Sequence, residues 1–390
     1  MLTIYHESLQ EYLSPDQILM VEMLVRVIQI FKEVKIEKLA ARLPLPIKYE
    51  SRRRAVQRFL ISRGLDISLI WLPIIKVIID NIQSNPKTKA RTKKDSKQVL
   101  YLAIDRTQWA ENNVFVVAAI LNKRAIPIYW LMLNKKGCSN LSEQQQLIRP
   151  ALALLSNYQI VLLGDREFRG VHLAAWLTQL KVKYVFRIKG DTCIDDNYGN
   201  ICFVNQLKNT LEIRYFHVDI KLTKVKGFGY SNLAIYWKRK YREKQPKEPW
   251  YLVTNLDSAD AAIAAYRYRM GIEMMFRDCC KTGGYNLEGS KANPARLTNL
   301  IRLIAIAYTQ STLDGIKYQS TSSSQYFGRS KKLRGNTSNA SRFWLGRYAD
   351  DWLMMIELMS ESIGFIMLHR PQHRLNFLKG LSATTFVASS

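Results

Sequence analysis

The chain is poor in cysteine and histidine, with five of each. Cys138, Cys193, Cys202, Cys279 and Cys280 are odd in number and irregular in spacing, which excludes a disulfide framework. No C-x-x-C pair offers half of a zinc site, and the histidines do not cluster at ligand spacing. No apolar run reaches the roughly 18 uninterrupted residues of a membrane helix. The best candidate, SLIWLPIIKVIIDNI, contains Pro73, Lys76 and Asp80 and reads as a buried or amphipathic helix. The first residues, MLTIYHESLQ, are interrupted early by polar and acidic side chains and read as no signal peptide. A reducing, cytoplasmic setting with no membrane follows. Acidic residues are also few: 32 Asp and Glu face 58 Lys and Arg, a net charge of +26. Such a field attracts polyanions and weakens with salt, which points to nucleic acid or, as the plainer alternative, an anionic membrane surface.

A hydrophobic content of 47% supports a real core, and a length of 390 residues implies two to four structural units. Residues 1–83 show helical spacing. Within them, IEKLAARLPLPIKYESRRRAVQRFL has the outline of two short helices joined by a Pro-containing turn, with Ser51 as a cap for the second. That outline fits a DNA-binding helix-turn-helix or an ordinary helical hairpin, and the run Arg52, Arg53, Arg54 suits either DNA contact or a solvated helix end. Residues 84–98 are Lys-rich and read as a linker. From residue 99 the period changes. VLYLAID, VFVVAAIL, AIPIYWLML, YQIVLLGD and VKYVFRI read as strands, with HLAAWLTQL as a helix between the last two. A mixed sheet with a helix against it is expected. Residues 191–250 continue as β segments with turns, read as an inserted β subdomain ending in the basic loop KRKYREKQPKEP. PWYLVTNL returns a strand, and SADAAIAAYRYRMGIEMMFRDCC begins a long helix capped by Ser258 or Asp260. Residues 301–390 are helical again, apart from a polar stretch at 319–343, and DDWLMMIELMSESIGFIML reads as a final apolar helix.

Against this basic background three acidic residues stand out. Asp105 closes the strand-like run of LAIDRTQW, Asp165 closes that of VLLGDREF, and Glu273 lies in the helical YRYRMGIEMMFRD. Two aspartates at adjacent strand ends and a glutamate from a packed helix can converge on divalent ions. Magnesium prefers such hard oxygen ligands, and a metal pair suits phosphodiester chemistry. Read singly, each is a turn residue or a solvated carboxylate. Arg106 and Arg166, which follow the two aspartates, either screen carboxylate repulsion or hold phosphate. Glu167 is a supporting residue or an ion-pair partner. At about 100° per residue, Tyr266, Arg269 and Glu273 share one helix face, beside an apolar stripe of Ile272, Phe276 and Cys279.

IDRTQW, GDREF and Y-x2-R-x3-E, in this order over residues 95–300, resemble the bacterial insertion-sequence DDE transposases of family four, whose signature runs Y-x2-R-x3-E-x6-K. The resemblance implies a ribonuclease H-like α/β core with a β insertion, flanked by helical N- and C-terminal regions. It implies Asp105, Asp165 and Glu273 as a catalytic triad holding two Mg2+ ions, with Mn2+ able to substitute. Tyr266 and Arg269 would hold DNA phosphate, with Arg166 and Lys281 as further DNA contacts. Trp250 would stack on a base flipped out during hairpin formation; read alone, it is a core tryptophan. The implied activity is cut-and-paste DNA transposition, with transposon ends and target DNA as partners and a homodimer on paired ends. Family spacing puts the signature lysine at residue 280, which is Cys280; Lys281 comes one residue late. In a regular helix it points about 100° away, unless a bulge at Cys279–Cys280 restores the register.

Overall fold

A computed structural model describes residues 9–62, 66–84, 97–195, 200–222, 229–239, 248–319, 321–328 and 341–389. Most of the linker expected at 84–98, of the basic loop before Trp250 and of the polar stretch at 319–343 lies outside the described residues. The chain forms two compact units. One joins Met1–Asp66 to Arg277–Ser390, and the other is Ile67–Phe276.

The first unit begins with α1 (Pro15–Phe31), α2 (Ile36–Arg42) and α3 (Tyr49–Phe59). Helix α1 starts at a reciprocal cap. Ser14 Oγ accepts from the Gln17 amide, and the Gln17 side chain accepts from the Ser14 amide, with Pro15 in the first turn. Helix α3 starts at Tyr49 behind Lys48, so Ser51 lies inside the first turn and does not cap it. Arg52 is spent locally. Its Nε donates to Ala40 O (2.8 Å) and its Nη1 to Ile47 O (2.8 Å), which holds the turn between α2 and α3.

The second unit starts with a π-helical turn, Ile67–Trp71, leading into α4 (Leu72–Gln83). Pro73 is accommodated because it falls in the first turn of α4, where no amide partner is lost. The strands that follow are β1 (Val99–Trp109), β2 (Asn112–Leu121), β3 (Arg124–Met132), β4 (Gln159–Gly164), β5 (Lys183–Ile188), β6 (Cys193–Asp195), β7 (Ile201–Phe203), β8 (Arg214–Leu222), β9 (Gly229–Tyr236) and β10 (Trp250–Thr254). They form one sheet in the order β3-β2-β1-β4-β5-β10-β9-β8-β6-β7. Strands β1, β2 and β3 are antiparallel, while β1, β4 and β5 are parallel. This is the mixed sheet of a ribonuclease H-like core. The β segments of 191–250 extend that sheet beyond β10 rather than forming a separate one.

Helix α5 (Leu141–Leu154) separates β3 from β4 and α6 (Val171–Gln179) separates β4 from β5. The first, not expected from the sequence, is capped reciprocally by Asn140 and Glu143. Pro127 sits in the edge strand β3 next to a register shift at Val117/Ala118, where a residue without an N–H is tolerated. Its carbonyl accepts from the Trp71 indole at 3.2 Å. The helix expected from Ser258 onward is broken. α7 (Ala259–Tyr266), capped by Ser258 Oγ, gives way to a 3₁₀ turn at Arg267–Arg269 before α8 (Met270–Cys280). The tighter turn falls where Gly271 packs against the β2–β3 connection. A Cβ there would lie 3.2 Å from the Ala125 nitrogen.

The first unit is completed by α9 (Pro294–Gln319), α10 (Ser324–Phe327), α11 (Arg342–Leu358), α12 (Ser360–His369) and α13 (Arg374–Ala388). Helices α9 and α11 touch through two glycines. A Cβ on Gly315 would lie 1.7 Å from Arg342 O, and one on Gly346 would lie 1.9 Å from Ser311 O. Tyr285 meets Phe343 edge to face and Tyr308 meets it at a tilt, in the core beside this crossing. The single apolar helix expected at the C-terminus is instead two, α11 and α12, bent by 75°. Among the described residues no single helix is long and apolar enough to cross a membrane, although that bent pair passes by composition. Helix α12 buries no residue, and Leu358, Phe365, Leu368 and Leu375 are each more than 60% exposed.

Candidate active site

Sheet geometry brings the two aspartates together. Strand β1 pairs with β2 along its whole second half but with β4 only from Val99 to Ala103. Ala103 stands opposite Leu163, so the same parallel register carried two residues further puts Asp165, just past β4, opposite Asp105. Asp105 therefore does not end its strand, as the sequence suggested. It lies within β1, at the point where the β4 side of the strand has become free. Asp165 does follow the end of β4, and its Oδ1 caps a short 3₁₀ turn by accepting from the Glu167 amide (2.9 Å).

Glu273 reaches the same place from α8 through Arg269. The Arg269 side chain is only 10% exposed. Its Nη1 donates to Asp105 Oδ2 at 3.3 Å and its Nη2 donates to Glu273 Oε1. Asp105 Oδ1 accepts from the Arg106 amide at 2.8 Å. Burial raises the Asp105 carboxyl to about 7, and the charges of Asp165 and Glu273 push the same way; the Arg106 N–H and Arg269 oppose them. Like charges are thus gathered in a poorly solvated place.

The donor set fits a hard divalent ion, since three carboxylates supply oxygen ligands and the partly buried Asp105 is short of solvation for its charge. The arrangement is another matter. Among the described residues no three Asp, Glu, His or Cys side chains are grouped as a metal site. The cation lying between Asp105 and Glu273 is the guanidinium of Arg269.

The remaining sequence candidates separate by strand pleat and by unit. Neighbouring side chains of a strand point to opposite faces, so Arg106 turns away from Asp105. It forms an ion pair with Glu167, through Nε to both carboxylate oxygens (3.2 and 3.1 Å) and Nη2 to Oε2 (3.0 Å). Ser139 donates to the same carboxylate through its amide and its hydroxyl, each at 2.9 Å. Glu167 is therefore the ion-pair partner of Arg106, and Arg106 is not left to hold phosphate. Arg166 pairs with Glu248, which also accepts from Arg187 Nη2 at 3.1 Å.

Tyr266 is buried, and burial raises its hydroxyl pKa. Its ring meets Trp250 edge to face at 4.9 Å, and the Arg269 guanidinium lies 5.7 Å from its centroid. Trp250, half-buried at the start of β10, carries the Lys238 ammonium 3.5 Å above its ring. Lys281 and Cys280 belong to the first unit. Helix α8 runs unbroken through Cys280, so no bulge restores the lysine register. Cys280 is buried, its thiol pushed up to about 12 chiefly by burial. Lys281 donates to Glu288 at 2.5 Å.

Two basic residues near the site were not singled out from sequence. The Arg187 pKa is lowered by burial and then by Arg166 and Arg269; that of Lys238 is lowered by burial and then by Arg267 and Arg187. Burial is the larger cause for both, and neighbouring cations add to it. Nothing in FRIKG or AIYWKRK distinguishes these two from other surface cations in so basic a chain.

Residues 112–309, just over half of the chain, match the family described as "Transposase DDE domain". The chain belongs to the transposase DDE domain family. The match to that family includes Asp165, Trp250, Tyr266, Arg269, Glu273 and Lys281, whereas Asp105 precedes it. Among solved structures, a cryo-EM structure of a piggyBac transposase synaptic complex with hairpin DNA is 13% identical, with a TM-score of 0.44, covering 90% of this chain and 73% of that one. A Marinitoga piezophila Argonaute complex is 12% identical, with a TM-score of 0.22, covering 59% of this chain and 33% of that one. No curated protein matches the chain.

Proposed function

We propose that the protein is a cut-and-paste DNA transposase of insertion-sequence family four, the Y-R-E-K group, acting in the cytoplasm. The observation that carries this reading is the meeting of Asp105 and Glu273 on one guanidinium, beside Asp165 at the end of the neighbouring strand. Asp105, Asp165 and Glu273 would hold the divalent ions, Mg2+ with Mn2+ able to substitute. When bound, those ions supply Lewis-acid activation of the attacking oxygen and charge stabilisation of the leaving one.

The chain's own residues position the DNA. Arg269, Arg187 and Lys238 offer cations for the scissile-strand backbone, with Arg166 as a further contact. Tyr266 and Trp250 form an aromatic wall against which an unstacked base is held while the freed 3′-hydroxyl attacks the opposite strand to give a hairpin. The hairpin is reopened and the 3′ end joins target DNA. No covalent enzyme–DNA step is required, so Tyr266 acts by contact and not as a nucleophile. Residues 1–83 are assigned to DNA binding, 84–98 to a basic linker, 99–300 to the catalytic core and 301–390 to the helical C-terminal region. The exposed apolar side chains of α11 to α13 support a homodimer on paired ends.

The placement of Lys281 favours a second reading. The signature position is a buried thiol, and the following lysine is paired with Glu288. A transposase-derived protein that occupies DNA ends without cutting them would tolerate this. A third possibility is a metal-dependent nuclease without strand transfer. Product analysis on labelled DNA from the element's end separates the three. Hairpins and joined products are expected of the transposase, linear nicks alone of the nuclease. Equal cleavage by the wild type and Asp105→Ala would leave only the binding protein.

A further inference from the structure

The cation between Asp105 and Glu273 is a side chain of the protein itself. Arg269 is nine-tenths buried, donates to both carboxylates, and has its Nε–H buried with no acceptor among the described residues. Two carboxylates, Asp105 and Glu273, thus share the single positive charge of Arg269. Arg187 is near enough for the Arg269 charge to lower its pKa. A buried guanidinium turned to two carboxylates, with an N–H that has no acceptor among the described residues, suits a planar oxyanion that accepts two parallel N–H bonds. A phosphodiester is such a group.

We infer that Arg269 is the resting counter-ion of the acidic site and that a DNA backbone phosphate draws it away, so that divalent metal binds after DNA rather than before. The inference rests on the reading that Asp105 and Glu273 hold the metal. Its physical basis is competition. Asp105 Oδ2 and Glu273 Oε1 are already occupied by N–H donors, and an incoming ion must displace a desolvated, paired guanidinium. A phosphate that takes over the guanidinium frees both oxygens. Linkage then makes the effect reciprocal: DNA tightens metal binding by the factor by which metal tightens DNA binding. The device would keep the enzyme from assembling a hydrolytic centre in the absence of its substrate.

The test is Mn2+ binding measured by the EPR signal of the free ion. It compares the wild type, Arg269→Gln and Arg269→Lys, with and without a nicked duplex taken from the DNA bordering the gene. Asp105→Asn run in parallel provides the correction for ion held by the duplex. The wild type alone is expected to bind Mn2+ weakly, and the duplex to tighten it by about tenfold or more. Arg269→Gln is expected to gain a similar factor without DNA and to gain little more on adding it. Arg269→Lys, which keeps a cation but loses the planar fork, should fall between. Equal Mn2+ affinity of the wild type with and without duplex overturns the inference and needs no variant to fold. So does an Arg269→Gln protein that binds Mn2+ no better than the wild type while Asp105→Asn still abolishes binding, an outcome that leaves the catalytic reading intact. If Asp105→Asn leaves Mn2+ binding unchanged throughout, these carboxylates do not hold the ion, and the catalytic reading fails together with the inference.

Discussion

Arg106 and Glu167, which come from β1 and from the turn after β4, form a multiply bonded ion pair that is about 15% and 12% exposed. The pair ties the loop after β3 to the sheet, because Glu167 also accepts from Ser139 and Arg106 Nη1 donates to Asn113 Oδ1 at 3.1 Å. Glu167→Ala strands a buried guanidinium and two Ser139 donors. A loss of about 2–4 kcal/mol in urea unfolding is expected. A double-mutant cycle with Arg106→Ala should return a coupling of about 1–3 kcal/mol. Additive losses would show that the two residues act separately.

Trp250 lies between Lys238 and Tyr266 and is half-buried, not in the depth of the core. Trp250→Ala is expected to slow hairpin formation about tenfold or more relative to the first nick, in line with the ~1–3 kcal/mol of one stacked base. The two steps are read separately on end-labelled DNA in denaturing gels. Equal slowing of both would assign the indole a packing role.

Asp314, in the first unit, gives a pH dependence of stability. Its carboxyl is raised to about 7, first by burial and then by Asp350, while Gln310 opposes the shift by donating at 2.9 and 3.1 Å. The folded pKa exceeds the unfolded one, so folding takes up a proton. The neutral acid therefore costs nothing below about pH 4, and stability falls as pH rises towards 7. The loss is on the order of 1–3 kcal/mol, since the side chain is not wholly enclosed. Asp314→Asn keeps an acceptor for Gln310 and should remove most of that fall. Parallel pH profiles of the urea midpoint for the two proteins would contradict the assignment.

Helices α9 and α11 cross where only hydrogen fits. Gly346→Ala places a methyl group on Ser311 O, and Gly315→Ala places one on Arg342 O. Each is expected to cost about 3 kcal/mol and to lower the melting temperature, which differential scanning calorimetry would register. Gly364→Ala, where a Cβ meets nothing within 4 Å, is the matched control and should be close to neutral.

The strands of the core were legible because branched and aromatic runs such as VFVVAAIL have few alternatives, and the end of YQIVLLGD placed Asp165 correctly. Strand β1 was read too short. Its second half, DRTQW, is polar and is held by pairing to β2, which composition does not reveal. The 3₁₀ turn at Arg267–Arg269 was hidden because the apolar spacing of the run continues through it without a Pro or Gly inside the turn. The bend after Leu358 was hidden because both halves are apolar. The capping pair Asn140 and Glu143 did announce α5 locally, but Pro150 within the run obscured it. Spacing and motif single out the three acidic positions as candidates. The place of Arg269 between Asp105 and Glu273 was not legible, because on a regular helix it shares a face with Glu273 whether or not Asp105 is near.

The proposed function requires Asp105, Asp165 and Glu273 to act as one chemical centre. The most direct measurement is cleavage of labelled element-end DNA in the presence of Mg2+ by the wild type, Asp105→Asn, Asp165→Asn and Glu273→Gln, with DNA binding followed in parallel by gel shift. Each isosteric change is expected to reduce cleavage by about 10³-fold or more while leaving binding largely intact. Cleavage at the wild-type level in any of the three, or loss of DNA binding in all of them, would contradict it.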